Sequence, residues 1–230
     1  GGSIPFALFF TGLSKTNAVN AALIHKTLFL WVFVLAIPFL KERMNRWQWL
    51  GVATIFAANL FVGGFTGFKY STGEFMILGA TFFWAIENII AKKALEDVSS
   101  SVVSAARMAI GSLILIIFLF SRGGTLLLPN MNPAQWGWIF LTSALLFGYV
   151  TTWYTALKHA PATYVATLLV PATLVTNVLS AIFITHALTF KDLLSSVLFV
   201  CGTFLMIVFA KKTFESPGLA GNKDLSSVSA

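Results

Sequence analysis

The sequence predicts an all-α protein, a polytopic bundle of about eight transmembrane helices, and three observations lead to this fold class. Of the 230 residues, 57% are hydrophobic and only 10% are charged, and the mean hydropathy is +0.85. A soluble domain carries roughly a quarter of its residues as charged side chains. The apolar residues also lie in long runs, as helices that cross a bilayer require. A water-soluble fold is therefore excluded.

Seven apolar runs approach the length of about 20 residues that a helix needs to cross the hydrocarbon core. They lie at residues 18–40, 47–62, 74–91, 102–120, 136–157, 163–184 and 188–210. An eighth run, residues 4–13, is about half as long as required, so we interpret it as the end of a span that is cut short. The chain opens on Gly-Gly without a basic segment, which does not fit a signal peptide. We therefore expect a fragment or a processed product.

Polar segments separate the runs and mark the helix ends. Residues 41–46 form a compact charged turn, residues 63–73 are rich in Gly, and residues 121–124 contain a Gly pair that ends a helix. The segment 211–230 is rich in Ser, Gly and charged residues. Because such a composition buries too little apolar surface to fold, we expect a disordered tail there.

Lys and Arg residues are unevenly divided between the two sides of the predicted bundle. Nine of the fifteen lie in alternate loops, which hold residues 41–46, Lys92, Lys93, Lys158 and the C-terminal tail, and four lie on the opposite side. The remaining two fall inside spans. Because cytoplasmic loops are enriched in Lys and Arg, we predict a multi-pass protein of the cell (inner) membrane with a cytoplasmic C-terminus.

The net charge of +7 and the pI of about 9.7 do not indicate nucleic-acid binding, because the basic residues are scattered over short loops and form no continuous stripe. The single cysteine, Cys201, excludes a disulfide framework. The sequence contains no hydrolase, kinase, nucleotide-binding or zinc-protease motif, and its three histidines are far apart. We therefore expect no enzyme, no cofactor and no metal site.

An ungapped self-alignment superposes residues 12–62 on residues 156–206, so that the helix ends and the following loops coincide. The alignment moves the chain forward by five spans. Because five is an odd number, matched helices cross the membrane in opposite directions. Inverted repeats of this kind underlie alternating access in many secondary transporters.

Particular segments carry a family resemblance. Residues 12–23 (GLSKTNAVNAAL), 39–43 (FLKER) and 47–51 (WQWLG) resemble the closing half of an EamA-type repeat, and residues 156–163 (ALKHAPAT) are similar to the same place in a second repeat. The family is the drug/metabolite transporter superfamily. The resemblance implies ten helices arranged as two inverted five-helix repeats, with both ends cytoplasmic.

On this resemblance the chain divides into four parts. Residues 1–62 would form the end of the first repeat, with an incomplete helix 3 followed by helices 4 and 5. Residues 63–72 would form a connecting loop, residues 73–210 the second repeat with helices 6 to 10, and residues 211–230 the cytoplasmic tail.

Charged residues inside spans are costly in hydrocarbon unless they face a cavity or a partner, so they are the first candidates for function. Arg107 lies about 12 Å inside its span, at 1.5 Å per residue. Glu87 has a similar depth on the preceding helix, and we expect the two to pair. Such a pair either fixes helix packing or acts as a gate or coupling site, in which protonation of Glu87 or a competing substrate group releases Arg107.

Lys26 lies near mid-membrane in its predicted span, where no acidic residue of the sequence has a matching depth. We expect water or an anionic substrate in a cavity to solvate it, or a carboxylate of a helix outside this sequence to pair with it.

Uncharged polar residues extend the candidate pathway. Trp84, Glu87 and Asn88 share one helix face, Asn177 lies on the helix that contains Pro171, and Tyr154 offers a hydroxyl near one end of its span. Hydrogen bonding between helices is the alternative role for these groups. Pro171 frees a backbone carbonyl, which either opens a binding point or only kinks the helix.

The sequence thus predicts a secondary transporter that moves a small polar metabolite, an amino acid or an organic anion or zwitterion, by alternating access, with export as the direction the family implies. Its partners would be the lipid bilayer, the substrate and possible coupling protons or ions, and a homodimer is a further hypothesis. A sugar-phosphate or nucleotide-sugar carrier is the nearest alternative among transporters. A membrane scaffold without transport is the alternative from another class.

Overall fold

The computed structural model describes residues 2–60, 67–121, 123, 131–169, 172, 175, 178–179, 182 and 190–214. Throughout these residues the chain is helical or irregular, without a strand. The helices are α1 (Ile4–Leu13), α2 (Ala18–Lys26), α3 (Leu28–Leu40), α4 (Arg46–Leu60), α5 (Thr72–Asp97), α6 (Ser100–Ser121), α7 (Pro133–His159), α8 (Ala162–Thr167) and α9 (Phe190–Phe214). The predicted all-α fold class is confirmed.

Four stretches of the described residues are long and apolar enough to cross a membrane. They are Asn20–Leu40, Thr72–Asp97, Ser100–Ser121 and Pro133–His159. Ile4–Leu13 and Leu193–Val208 are shorter apolar helices. The chain is accordingly an integral, multi-pass membrane protein.

Helices α5 and α7 begin two to three residues before the apolar runs that predicted them, because polar caps extend them. Ser71 Oγ accepts a hydrogen bond from Glu74 N, and Glu74 Oε2 accepts one from Ser71 N, both at 3.3 Å. Asn132 and Gln135 exchange the same pair of bonds at the start of α7, at 2.8 and 2.9 Å. Each capping box satisfies backbone N–H groups of the first helical turn.

The predicted span 18–40 is divided at Thr27 into α2 and α3. Thr27 N donates to Ile24 O at 3.0 Å, and Leu30 N donates to Thr27 O at 2.9 Å, which is the tighter three-residue spacing. The Thr27 hydroxyl also donates to Ile24 O at 2.6 Å. Back-bonding of this kind bends helices, which explains the break inside an otherwise continuous apolar run.

The chain separates into two compact units, one of residues 1–41 and 66–166 and the other of residues 42–65 and 167–230. In the first unit α5 is the central helix, and it contacts α1, α2, α3, α6 and α7. Gly12 of α1 meets Gly73 of α5 so closely that a β carbon on Gly12 would lie 2.7 Å from Gly73 O. Ile77, one turn further along α5, is completely buried behind this contact.

In the second unit α4 and α9 pack side by side. Gly51 and Gly202 approach each other closely, since a β carbon on Gly51 would lie 2.9 Å from Gly202 O. Ile55, Phe199 and Met206 fill the interface around the two glycines and are buried. The absence of side chains at the two glycines lets the helix backbones come together, as is common between transmembrane helices.

Two predictions fall largely outside the described residues. Of the predicted span 163–184, helix α8 accounts for only the first part, and both Pro171 and Asn177 lie outside the described residues. Of the predicted tail, residues 211–214 belong to α9 and the remainder lies outside them. The kink at Pro171 and the role of Asn177 therefore stay predictions.

Candidate functional site

Glu87, Arg107 and Tyr154 meet inside the first unit, each from a different helix. Oε1 of Glu87 on α5 lies 3.9 Å from Nε of Arg107 on α6. The hydroxyl of Tyr154 on α7 donates a hydrogen bond to the same Oε1. The Arg107 guanidinium carbon lies 5.7 Å from the centre of the Tyr154 ring, a distance at which a cation is attracted to the ring face. One carboxylate thus connects three helices.

The three side chains are shielded from the surroundings of the protein. The side chains of Arg107 and Glu87 are 12% and 16% exposed, and Tyr154 is completely buried. Coulomb attraction between opposite charges increases as the local dielectric constant falls. The Arg107–Glu87 attraction is therefore stronger here than it would be in water.

A cavity of about 430 Å³ lies beside this cluster. Glu87, Arg107 and Tyr154 contribute to its wall. The rest of the wall is mostly apolar, with small and aliphatic groups from α1, α5 and α6, and it includes Pro5, Phe83, Ile86, Ile90, Val103 and Ile110. Binding sites for small molecules commonly have this size and this combination of an apolar wall with a few polar groups.

Arg107, which contributes to the cavity wall, has a buried donor atom without an acceptor. Its Nε is buried and makes no hydrogen bond to any group among the described residues, since 3.9 Å is too long for one. A buried donor without an acceptor is costly. Arg107 therefore supplies the cavity wall with a cation whose hydrogen bonding is incomplete.

Further polar contacts join α5 and α7 beyond Glu87. Trp153 Nε1 donates to Asn88 Oδ1 at 2.9 Å, and Asn88 Nδ2 donates to Trp84 O at 2.8 Å. Lys92 Nζ donates to backbone carbonyls at the end of α7. The Lys92 contact lies beyond the Glu87–Tyr154 contact on both helices, so α5 and α7 run in parallel.

Sequence reasoning identified Asn88 but missed its partner Trp153, and it also missed Lys92. The sequence places Lys92 among the charged residues of the predicted cytoplasmic side, and this placement gives no reason to expect a contact with another helix. The available signal is that Lys92 directly follows the predicted span 74–91, five residues beyond the charged residue Glu87.

The other sequence candidates of the first unit lie away from the cavity wall. Trp84 is buried, and its ring packs edge-on against His25 and Phe6, with centroids 5.2 Å apart in both pairs. Lys26 is the last residue of α2, is half-buried, and does not line the 430 Å³ cavity. Lys26 and the Glu87–Arg107 pair are thus not brought together at this cavity.

The family follows from a direct comparison of the sequence. A model of the EamA-like transporter family matches residues 1–64 and 71–208. The chain belongs to the EamA-like transporter family. The resemblance expected from the segments after Gly12 and Ala156 is thereby confirmed.

EamA-like relatives occur in archaea and bacteria. An uncharacterized transporter of Methanothermobacter thermautotrophicus is 24% identical over 206 residues, covering 86% of this chain and 59% of the relative. The uncharacterized transporter YyaM of Bacillus subtilis is 31% identical over 154 residues, covering 63% and 50%. The uncharacterized transporter sll1164 of Synechocystis is 27% identical over 225 residues, covering 90% and 62%. The chain therefore spans less than two thirds of the length of these relatives.

A solved crystal structure shares the fold of this EamA-like chain. It superposes with a TM-score of 0.72 at 16% sequence identity, over 91% of this chain and 74% of the other. At this identity the likeness concerns the helical architecture alone.

Proposed function

We propose that this EamA-like chain acts in secondary transport of a small zwitterionic metabolite, with an amino acid as the best-fitting class. The observation that supports the proposal is the Glu87–Arg107–Tyr154 cluster on the wall of an open 430 Å³ cavity of a multi-pass membrane protein. Opposite charges held side by side can bind the two charged ends of one zwitterion.

Binding would exchange one set of ion pairs for another. A substrate carboxylate would pair with the guanidinium of Arg107, whose Nε has no hydrogen-bond acceptor among the described residues. The substrate ammonium would pair with Glu87, to which Tyr154 already donates. The apolar wall around Phe83 and Ile110 would receive an aliphatic or aromatic side chain.

The charge sum at the cavity favours a zwitterion over an organic anion. Glu87 and Arg107 cancel, and Lys26, the third charged residue considered inside the predicted spans, does not line this cavity. A sugar phosphate carries a net negative charge and would leave Glu87 facing like charge. Coupling to a proton is consistent with the same site, because a proton on Glu87 would weaken its attraction to Arg107.

The remaining parts of the proposal concern organisation in the membrane. Residues 1–62 and 73–210 would belong to two inverted repeats, joined by residues 63–72, that alternate access between the two sides. The excess of Lys and Arg in alternate loops supports a cytoplasmic C-terminus. Export is the direction that the family resemblance implies, and the cell membrane is the proposed location. A homodimer is compatible with these features.

The test is transport by the full chain reconstituted in lipid vesicles. Labelled zwitterionic amino acids, organic anions, sugar phosphates and organic cations are offered in parallel. We expect zwitterions to cross and to compete with one another. Transport of cations only, or of sugar phosphates only, would contradict the proposed substrate, and a chain that moves none of them would support the scaffold alternative.

Site variants connect the transport signal to the cavity. We expect Arg107→Gln and Glu87→Gln to abolish transport and Tyr154→Phe to reduce it. Matched controls come from exposed residues of the same charge or type: Lys93→Gln, Glu96→Gln and Tyr70→Phe should transport like the wild type. Equal transport by site variants and controls would place the substrate elsewhere.

A further inference from the structure

Lys92 and Lys158 connect the ends of α5 and α7 in a reciprocal arrangement. Lys92 Nζ donates to the backbone oxygens of Leu157 at 2.6 Å and Ala160 at 2.8 Å, and it lies 3.5 Å from that of Lys158. Lys158 Nζ donates in return to the backbone oxygen of Val98 at 3.0 Å. Each helix therefore supplies a cation to the C-terminal end of the other.

The acceptors are the groups that a helix end leaves without intrahelical partners. Val98 is the C-cap of α5, and Ala160 is the C-cap of α7. The last carbonyls of a helix have no intrahelical N–H, and they lie at the negative end of the helix dipole. An ammonium group is favoured there for both reasons. Two such contacts, made in opposite directions, resist sliding of either helix along the other.

We propose that Lys92 and Lys158 form a lock that sets the axial register of α5 and α7, and that Lys92 is thereby a positioning residue for the Glu87–Tyr154 contact. Lys92 lies five residues beyond Glu87, or about 7.5 Å at 1.5 Å per residue. Leu157 lies three residues beyond Tyr154, or about 4.5 Å. The lock is therefore close enough to the cluster to control it.

A change of register by one residue displaces α7 by about 1.5 Å and rotates its side chains by about 100°. The Tyr154 hydroxyl would then leave Glu87, and the Trp153 indole would leave Asn88. Both contacts are side chain to side chain and adapt poorly to such a shift. The two lysines instead donate to backbone carbonyls, so their contacts do not depend on which side chains lie nearby.

Lys93 provides a matched control for Lys92. It is the next residue of the same helix, carries the same charge at nearly the same depth, and is exposed. Loss of either lysine has the same effect on the distribution of charge across the membrane. Only loss of Lys92 removes the contact with α7.

The register can be read without measuring transport. Thr155 on α7 donates from Oγ1 to Ser100 Oγ, 3.4 Å away at the start of α6 and two residues after Val98. In the full chain with Cys201→Ser, cysteines at these two positions report the position of α7 by disulfide formation in membrane vesicles treated with copper phenanthroline. Cysteines that are displaced along the helix axis react poorly, because disulfide geometry is narrow.

We expect Lys92→Met to slow disulfide formation about threefold or more, as loss of charge-assisted hydrogen bonds should, and Lys93→Met to leave it unchanged. Lys158→Met should slow it as well, and Lys92→Arg should restore it because a guanidinium also donates to carbonyls. Equal rates for Lys92→Met and Lys93→Met would overturn the proposal. If Lys92→Met does not accumulate in the membrane, equal rates for Lys158→Met and Lys93→Met would overturn it.

A test of the positioning role by transport rests on the proposed function, whereas the disulfide measurement does not. We expect Lys92→Met to raise the substrate KM, because Tyr154 no longer presents its hydroxyl to Glu87, and Lys92→Arg to restore it. A wild-type chain that moves no metabolite, combined with slow disulfide formation in Lys92→Met, would refute the proposed function and leave the lock supported.

Discussion

Asn20 on α2 donates a hydrogen bond from Nδ2 to Oε1 of Glu74 on α5, across 2.6 Å and 54 residues of sequence. Both side chains are buried. Glu74 also accepts hydrogen bonds from the backbone N–H groups of Lys69 and Ser71. A single carboxylate therefore joins α2, the segment that leads into α5, and the first turn of α5 itself.

Removal of this carboxylate should destabilise the first unit. We expect Glu74→Ala to lower the free energy of unfolding by about 2 to 4 kcal/mol, because it removes a helix cap and leaves the Nδ2 of Asn20 buried without this acceptor. Unfolding by sodium dodecyl sulfate in mixed micelles measures the change. Glu96→Ala, at an exposed position of the same helix, is the control. Similar losses for both variants would contradict the assigned role of Glu74.

The close contact of Gly12 and Gly73 predicts that alanine has opposite effects on stability at two glycines of α5, Gly73 and Gly79. A β carbon on Gly73 would lie 2.7 Å from Gly12 O, whereas one on Gly79 would meet nothing within 4 Å. Gly73→Ala should therefore cost about 1 to 3 kcal/mol through overpacking. Gly79→Ala should be neutral or stabilise by up to about 1 kcal/mol, because alanine is the better helix former.

Unfolding of both glycine variants under the same conditions provides the measurement. Gly12→Ala should resemble Gly73→Ala, since the two glycines face each other. A Gly73→Ala variant as stable as Gly79→Ala would show that the helices separate easily at this point.

Trp153 and Asn88 are expected to be energetically coupled. Trp153→Phe removes the indole donor and leaves the buried Asn88 Oδ1 without it, at a cost of about 1 to 3 kcal/mol. Trp138→Phe is the control, because Trp138 lies on the same helix and is 67% exposed. A double-mutant cycle with Asn88→Ala should give a coupling free energy clearly different from zero. Strict additivity would indicate that the bond contributes nothing.

Much of the fold followed from the sequence because hydrocarbon thickness fixes the length of an apolar run. The apolar run 102–120 was recovered almost unchanged as α6 (Ser100–Ser121). The helix ends were less accurate, since capping groups such as Ser71 and Asn132 are polar and lie outside the runs. The division at Thr27 depends on a hydrogen bond from its hydroxyl to a carbonyl of the preceding turn, and an average of hydropathy does not detect such a bond.

The candidate site was predicted in part for a similar reason. Depth along antiparallel helices follows from counting residues, and it brought Glu87 and Arg107 to the same level. Depth does not specify rotation, so it does not predict that Tyr154 converges on the same carboxylate oxygen. The sequence predicts Lys26 near mid-membrane, but Lys26 does not line the cavity. Residue counting specifies neither the rotation of a helix nor its packing.

The Glu87–Arg107 pair should respond differently to single and double substitution. Arg107→Gln leaves the Glu87 carboxylate, which is 16% exposed, without its cation, and Glu87→Gln leaves a guanidinium that is 12% exposed without its anion. Breaking a buried pair by removing one partner costs about 3 kcal/mol or more, whereas removing both charges together is often close to neutral. The double variant should therefore be more stable than either single variant in detergent unfolding. If its loss equals the sum of the two single losses, the 3.9 Å contact contributes no attraction to the folded state.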